Sequence, residues 1–247
     1  MTPIARHRNT PLVLLAALLL GALALPACSD DGGKSATSTT RRPTTTTATA
    51  APPTTATPTT AVESTAEAVW PWASSSTRYP DPLAAARGFA TDLVGFTDPV
   101  VGEYRAGDSR SGEVDVRAKA TSAPTTVLVR QINGSWWVLG STTADIQVTQ
   151  PAAGASISSP VTMAGTSTAF EATVNVHLVA DGAAGTPATP LASTFVMGGS
   201  MGDLLPFTGS LEFASPGAGT SGSLVFLTFS SEDGRVLIAT THRVHFA

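Results

Sequence analysis

The first apolar run of the chain, Leu12 to Leu25, follows the basic cluster Arg6, His7 and Arg8 and ends at Ala27 and Cys28. A basic part, an apolar part and a small residue in that order predict an export signal over residues 1–27. The run is too short to cross a bilayer comfortably, so cleavage is expected rather than retention. From there to about Ala68 the chain is Thr, Ala, Pro and Ser with almost no large apolar residue. Such a segment cannot bury enough surface to offset its ordering entropy, and residues 28–68 are expected to be a disordered tether. It spans about 35 Å as a coil and about 120 Å when stretched.

Apolar patterning resumes after the tether. Trp70-Pro71-Trp72 opens the segment, and Asp81-Pro82 supplies an N-cap and a first-turn proline. Leu83, Ala86, Ala90, Leu93 and Val94 then recur at helical spacing until Gly95. The period next falls to two, with Val114, Val116 and Ala118 on one face and Glu113, Asp115, Arg117 and Lys119 on the other. Apolar runs at Val127–Ile132 and Trp136–Leu139 flank Asn133-Gly134, a strong hairpin signal. Residues 69–145 are therefore expected to form a small α+β domain.

Beyond Ile146 no helical period remains. Strand-like runs at 146–149, 161–165, 173–179, 191–197, 204–213, 223–229 and 236–244 are separated by Gly, Pro, Asp and Ser. Seven short strands predict an immunoglobulin-like β-sandwich over residues 146–247, and a mainly β chain overall. Within it, Ile157-Ser158-Ser159-Pro160-Val161 leading to Gly165, Phe170-Glu171 before an alternating strand, and Ser230-Ser231-Glu232-Asp233-Gly234 before the last one resemble the immunoglobulin-like domain of bacterial spore germination proteins, the Gmad2 family. The resemblance covers about residues 148–245. It implies a cell-envelope sandwich, often appended to lipoproteins or other extracytoplasmic modules, with a role linked to envelope remodelling, sporulation or germination in relatives and no catalytic residues to carry over.

Cys28 is the sole cysteine, so no disulfide can form within the chain. Leu25-Pro26-Ala27-Cys28 resembles a bacterial lipobox, although Pro26 replaces the usual small residue. Lipidation of Cys28 and anchoring to the outer face of the cell membrane are expected. Without the signal the chain carries 12 Lys+Arg against 18 Asp+Glu, which argues against nucleic acid as a partner. Over the full sequence arginine outnumbers lysine 12 to 2, and with abundant Ala, Thr, Pro and Gly this suggests an actinobacterial source.

Few constellations carry chemistry. Gly198-Gly199-Ser200-Met201-Gly202 matches a nucleophile elbow, with Asp233 and His242 or His245 in triad order. An elbow needs a helix after its serine, and Asp203-Leu204-Leu205-Pro206 follows instead, so a loop between strands is expected. A spacing of three sends His242 and His245 to opposite strand faces, and His177 alternates outward, so no metal site is expected. Gly32-Gly33-Lys34-Ser35 lacks the strand and first glycine of a phosphate loop. Asn133-Gly134-Ser135 reads as a turn before it reads as a glycosylation acceptor. Asp92, Asp98, Glu103 and Asp108 read as helix-surface and turn residues. Trp136 and Trp137 must face opposite ways, so one of them is a candidate binding residue for a protein or carbohydrate.

The sequence thus predicts no catalytic residue, no cofactor and no metal. It describes a lipid-tethered module that acts through an edge strand or loop on an envelope protein or cell-wall polysaccharide. The alternatives are a wall-active enzyme and a small-ligand binder, each using the α+β domain.

Overall fold

The computed structural model describes residues 64–247. The signal of residues 1–27, Cys28, the Gly32–Ser35 stretch and the tether up to residue 63 lie outside them. The described residues cluster as one compact unit.

Helix α1, Pro82–Gly88, begins as its sequence dictates. The Asp81 carboxylate accepts the Ala84 N–H at 2.8 Å, and Pro82 occupies the turn where no N–H is needed. The chain then widens into a π-helical turn, Phe89–Val94, which Gly95 ends at φ 95°. Ala85, Ala86, Phe89, Ala90, Leu93 and Val94 are buried. Leu83, expected on the apolar face, is 39% exposed, because it precedes the stripe that starts at Ala85.

Twelve strands follow: β1 Val100–Ala106, β2 Ser111–Arg117, β3 Thr125–Ile132, β4 Ser135–Thr142, β5 Ile146–Gln150, β6 Ala155–Ile157, β7 Val161–Ser167, β8 Thr173–Ala180, β9 Ala192–Met197, β10 Leu205–Leu211, β11 Ser221–Phe229 and β12 Val236–Phe246. The seven runs expected beyond residue 146 correspond to β5 and β7–β12. Strands β1 and β6 were not expected. Asn133 and Gly134 both take positive φ, 51° and 78°, as a two-residue hairpin turn requires.

One large sheet runs in the order β1-β2-β3-β4-β12-β11-β8-β9, with β6 pairing in parallel to β12. A second sheet, β10-β7-β5, packs on the C-terminal part of the first. The chain is mainly β, with an immunoglobulin-like sandwich following a small α+β part.

Strand β11 is buried on both faces. Val225 and Leu227 join the core under α1, together with Val179, Val236 and Ala239. Leu224 and Phe226 join the sandwich core with Met163 of β7 and Phe207 of β10. That double burial explains a continuous apolar run where a half-exposed strand would alternate. The boundary expected between residues 145 and 146 coincides with the β4–β5 turn, and both the large sheet and the core under α1 draw on strands from either side of it.

Truncating Phe226 or Leu227 to Ala is expected to cost about 3–5 kcal/mol, from lost burial plus the cavity left behind. Leu83→Ala is expected to cost less than about 1 kcal/mol. Urea unfolding of the three variants checks the ranking.

Candidate functional site

The two tryptophans singled out in the sequence do face opposite ways, but neither is free. Trp137 is 3% exposed, packs with Ala68 and Ile132, and lies under the Arg78 guanidinium at 4.9 Å. Trp136 is half-buried and meets Tyr104 edge-on with ring centroids 5.3 Å apart. Period-two parity places one residue on each face: Trp137 is buried with Ala68 and Ile132, and Trp136 borders the core under α1 while half-buried.

The histidines stay apart in role. His245 Nδ1 lies 2.9 Å from Ser221 Oγ, its registered neighbour across β11 and β12, and its Nε2 lies 3.9 Å from a Glu67 carboxylate oxygen. This Ser–His–carboxylate sequence of contacts was not visible in the chain order. The adjacent N–H groups of Gly219 and Thr220 are already committed to Phe246 and Gly217 carbonyls, so they do not serve an oxyanion. Beside it, the buried Arg243 donates to both oxygens of Asp181 at 2.7 and 2.8 Å, and through Nε to the Ala66 carbonyl at 3.0 Å. Arg243 and His245 thus tie residues 66–67 to β12.

His242 Nδ1 meets the Pro151 carbonyl at 3.2 Å, and burial pushes the His177 imidazole below its usual range. Among the described residues no three His, Cys, Asp or Glu side chains gather at metal-holding distance. Asp233 is held below the usual carboxylate range first by its hydrogen bond with Ser230, and further by the Arg235 N–H and the Lys119 and Arg235 charges. Asp92, Asp98, Glu103 and Asp108 sit respectively on the π-turn, the following loop, β1 and the β1–β2 turn, where Asp108 accepts the N–H groups of Arg110 and Ser111.

The Gly-Gly-Ser-Met-Gly motif has a structural cause. It forms the β9–β10 loop, with a turn and no helix after Ser200. Its glycines let this loop lock onto the β7–β8 loop: Gly199 N–H donates to Ser167 at 2.8 Å, Ala169 N–H to Gly199 at 3.0 Å, Gly198 N–H to Ala172 at 3.0 Å, and Gly202 N–H to Thr168 Oγ1 at 3.0 Å. A Cβ at Gly199 would meet the Asp203 and Ser167 carbonyls, and one at Gly198 the Ser167 hydroxyl.

The locked loops border a cleft of about 480 Å³ at this end of the sandwich, lined by Ala169, Phe170, Met201, Leu237, Ile238 and Asp145 among others. Most of these are apolar, yet Phe170 is 62% and Met201 96% exposed. Three residues of the same two loops adopt left-handed backbone without being glycine: Glu171 at φ 54°, Ala172 at 58° and Met201 at 59°. Each costs on the order of 1 kcal/mol, and strain of this kind concentrates where a loop presents side chains to a ligand. Phe170 and Met201 lie 31 positions apart in the sequence, on loops whose meeting no periodicity announces.

The family model described as the immunoglobulin-like domain of bacterial spore germination, Gmad2, matches residues 145–235. The match takes in β5 through β11 and both locked loops, and stops before β12. Comparison with curated proteins and with solved structures finds no match.

Ala172→Gly is expected to stabilise the protein by about 1 kcal/mol, because glycine adopts positive φ without steric cost. Ala164→Gly, in the extended β7, is expected to destabilise by about 0.5–1 kcal/mol. Thermal unfolding of the pair gives opposite signs if the strain is real.

Proposed function

We propose that the protein is a non-enzymatic, lipid-anchored module of the bacterial envelope whose immunoglobulin-like sandwich binds a protein partner through the cleft at its β7–β8 and β9–β10 end. The observation that carries this reading is the exposure of Phe170 and Met201 beside an apolar recess, on loops held in strained conformation. Large apolar side chains beside a pocket are the usual anchors of protein recognition, and methionine adapts to varied partner shapes. The match to the germination-associated domain agrees with a protein-interaction role, and fold alone does not fix the partner.

Lipidation at Cys28 and the tether place this end of the sandwich outside the membrane, within reach of the wall layer and other envelope proteins. A polysaccharide held on Trp136 or Trp137 is disfavoured, since Trp137 is buried and Trp136 is half-buried against the core under α1. In this reading Arg243 and His245 serve mechanics: they fasten the end of the tether to the central sheet.

The test places a photo-reactive benzophenone side chain at position 201, and as control at position 215 in the loop at the far end of the sandwich, in cells carrying either Cys28 or Cys28→Ala. The expected result is a discrete crosslinked protein from position 201 alone, in the membrane fraction, with membrane retention lost in the Cys28→Ala cells. Equal labelling from both positions contradicts the cleft, and unchanged fractionation of Cys28→Ala contradicts the anchor.

A further inference from the structure

The charge around the cleft defines its partner further. Asp145 lines the recess directly. Glu171 and Asp203 follow Phe170 and Gly202 on the two locked loops and are both exposed. None of these three carboxylates takes part in an ion pair or a side-chain hydrogen bond among the described residues.

Several acidic groups elsewhere are matched by cations. Asp115 takes Arg105 and Arg117, Asp181 takes Arg243, and Asp233 takes Lys119 and Arg235. Lys119 begins the turn that brings Ser122 to the cleft, but its ammonium is already shared by Glu232 at 3.2 Å and Asp233 at 3.8 Å. The recess is therefore mainly apolar, with Asp145 in its lining and the exposed, unpaired Glu171 and Asp203 on the loops that border it.

We infer that the occupant is a polypeptide segment presenting a large apolar side chain flanked by lysine or arginine. The apolar residue enters between Phe170 and Met201, which supplies most of the affinity. The flanking cations pair with Asp145, Glu171 and Asp203, and an acidic segment of the same shape is repelled, so the charges set selectivity and encounter rate more than depth of binding. Because the carboxylates stand in or near solvent, their contribution weakens as salt rises.

This inference rests on the cleft being the binding site, and the experiment separates the two. The mature chain, residues 28–247 with Cys28→Ala to leave out the lipid, is titrated with three fluorescent synthetic peptides: one with Leu-Phe between lysines, one with Leu-Phe between glutamates, and one with Ser-Ser between lysines. The first is expected to bind about tenfold more tightly than the second, and more tightly than the third. That preference should shrink several-fold between about 0.05 and about 0.5 M salt. Asp145→Asn/Glu171→Gln/Asp203→Asn should erase the preference for lysine while keeping apolar binding, and Phe170→Ser/Met201→Ser should remove binding of the first peptide. Equal binding of the two Leu-Phe peptides, with no effect of the carboxylate variant, overturns the charge inference and leaves the cleft intact. Binding insensitive to Phe170→Ser/Met201→Ser, or no binding of any peptide, overturns both. Variants that replace exposed or half-buried surface side chains in this way preserve the core, and an unchanged unfolding curve verifies it.

Discussion

Strand β12 is paired along its length to β11 on one side and meets β4 on the other through the single register pair Thr241 and Ser141. Three buried hydroxyl bonds reinforce the seam: Ser141 Oγ donates to the Ala239 carbonyl at 2.9 Å, Ala239 N–H to Thr125 Oγ1 at 3.0 Å, and Thr240 Oγ1 to the Ile146 carbonyl at 2.8 Å. Gly140 makes the approach possible, since a Cβ there would stand 2.6 Å from the Thr241 carbonyl. At about 1 kcal/mol each, the hydroxyl bonds give register more than strength. The strength comes from Val179, Val225, Leu227 and Val236, which fill the core under α1 at about 1.5–3 kcal/mol per large side chain. The α+β part and the sandwich thus complete each other's burial through one two-faced sheet.

That seam also sets the geometry of the proposed site. The tether end is clipped to β12 by Arg243 and His245, near the Asp181 side of the sandwich. The cleft opens at the end defined by the β7–β8 and β9–β10 loops, and its floor includes Leu237 and Ile238 of the same strand β12. A strand that holds the fold together therefore also connects the end of the proposed tether to the proposed recognition end. Rigid support of this kind is what lets strained loops keep Phe170 and Met201 exposed instead of collapsing onto the recess.

Much of the fold was legible because it is written in local chemistry. Asp81-Pro82 starts the helix, Asn133-Gly134 turns the hairpin, and alternating runs mark most strands. Strand β1 escaped because an edge strand with both faces largely open shows no alternation: Gly102, Glu103 and Arg105 interrupt its apolar residues. Strand β6 is three residues long, below any periodic signal. The β4–β12 junction brings together residues about 100 positions apart, and hydroxyls that look like surface Ser and Thr turn out to be its buried stitches. The candidate site was read less well for the same reason. Parity correctly separated Trp136 from Trp137, but not what covers each. The glycine-rich loop was noticed for its resemblance to a nucleophile motif, whereas its glycines serve the close approach of two loops that present Phe170 and Met201.

The central claim, that one sheet and one shared core unite the two parts, has a direct test in the placement of the tryptophans. Trp70, Trp72, Trp136 and Trp137 all belong to the α+β part, so their fluorescence reports its unfolding alone, while amide exchange in β8 and β11 reports the sandwich. Followed through the same urea titration, the two signals are expected to share one midpoint and one slope. A tryptophan transition that is complete while the β8 and β11 amides remain protected would contradict the account.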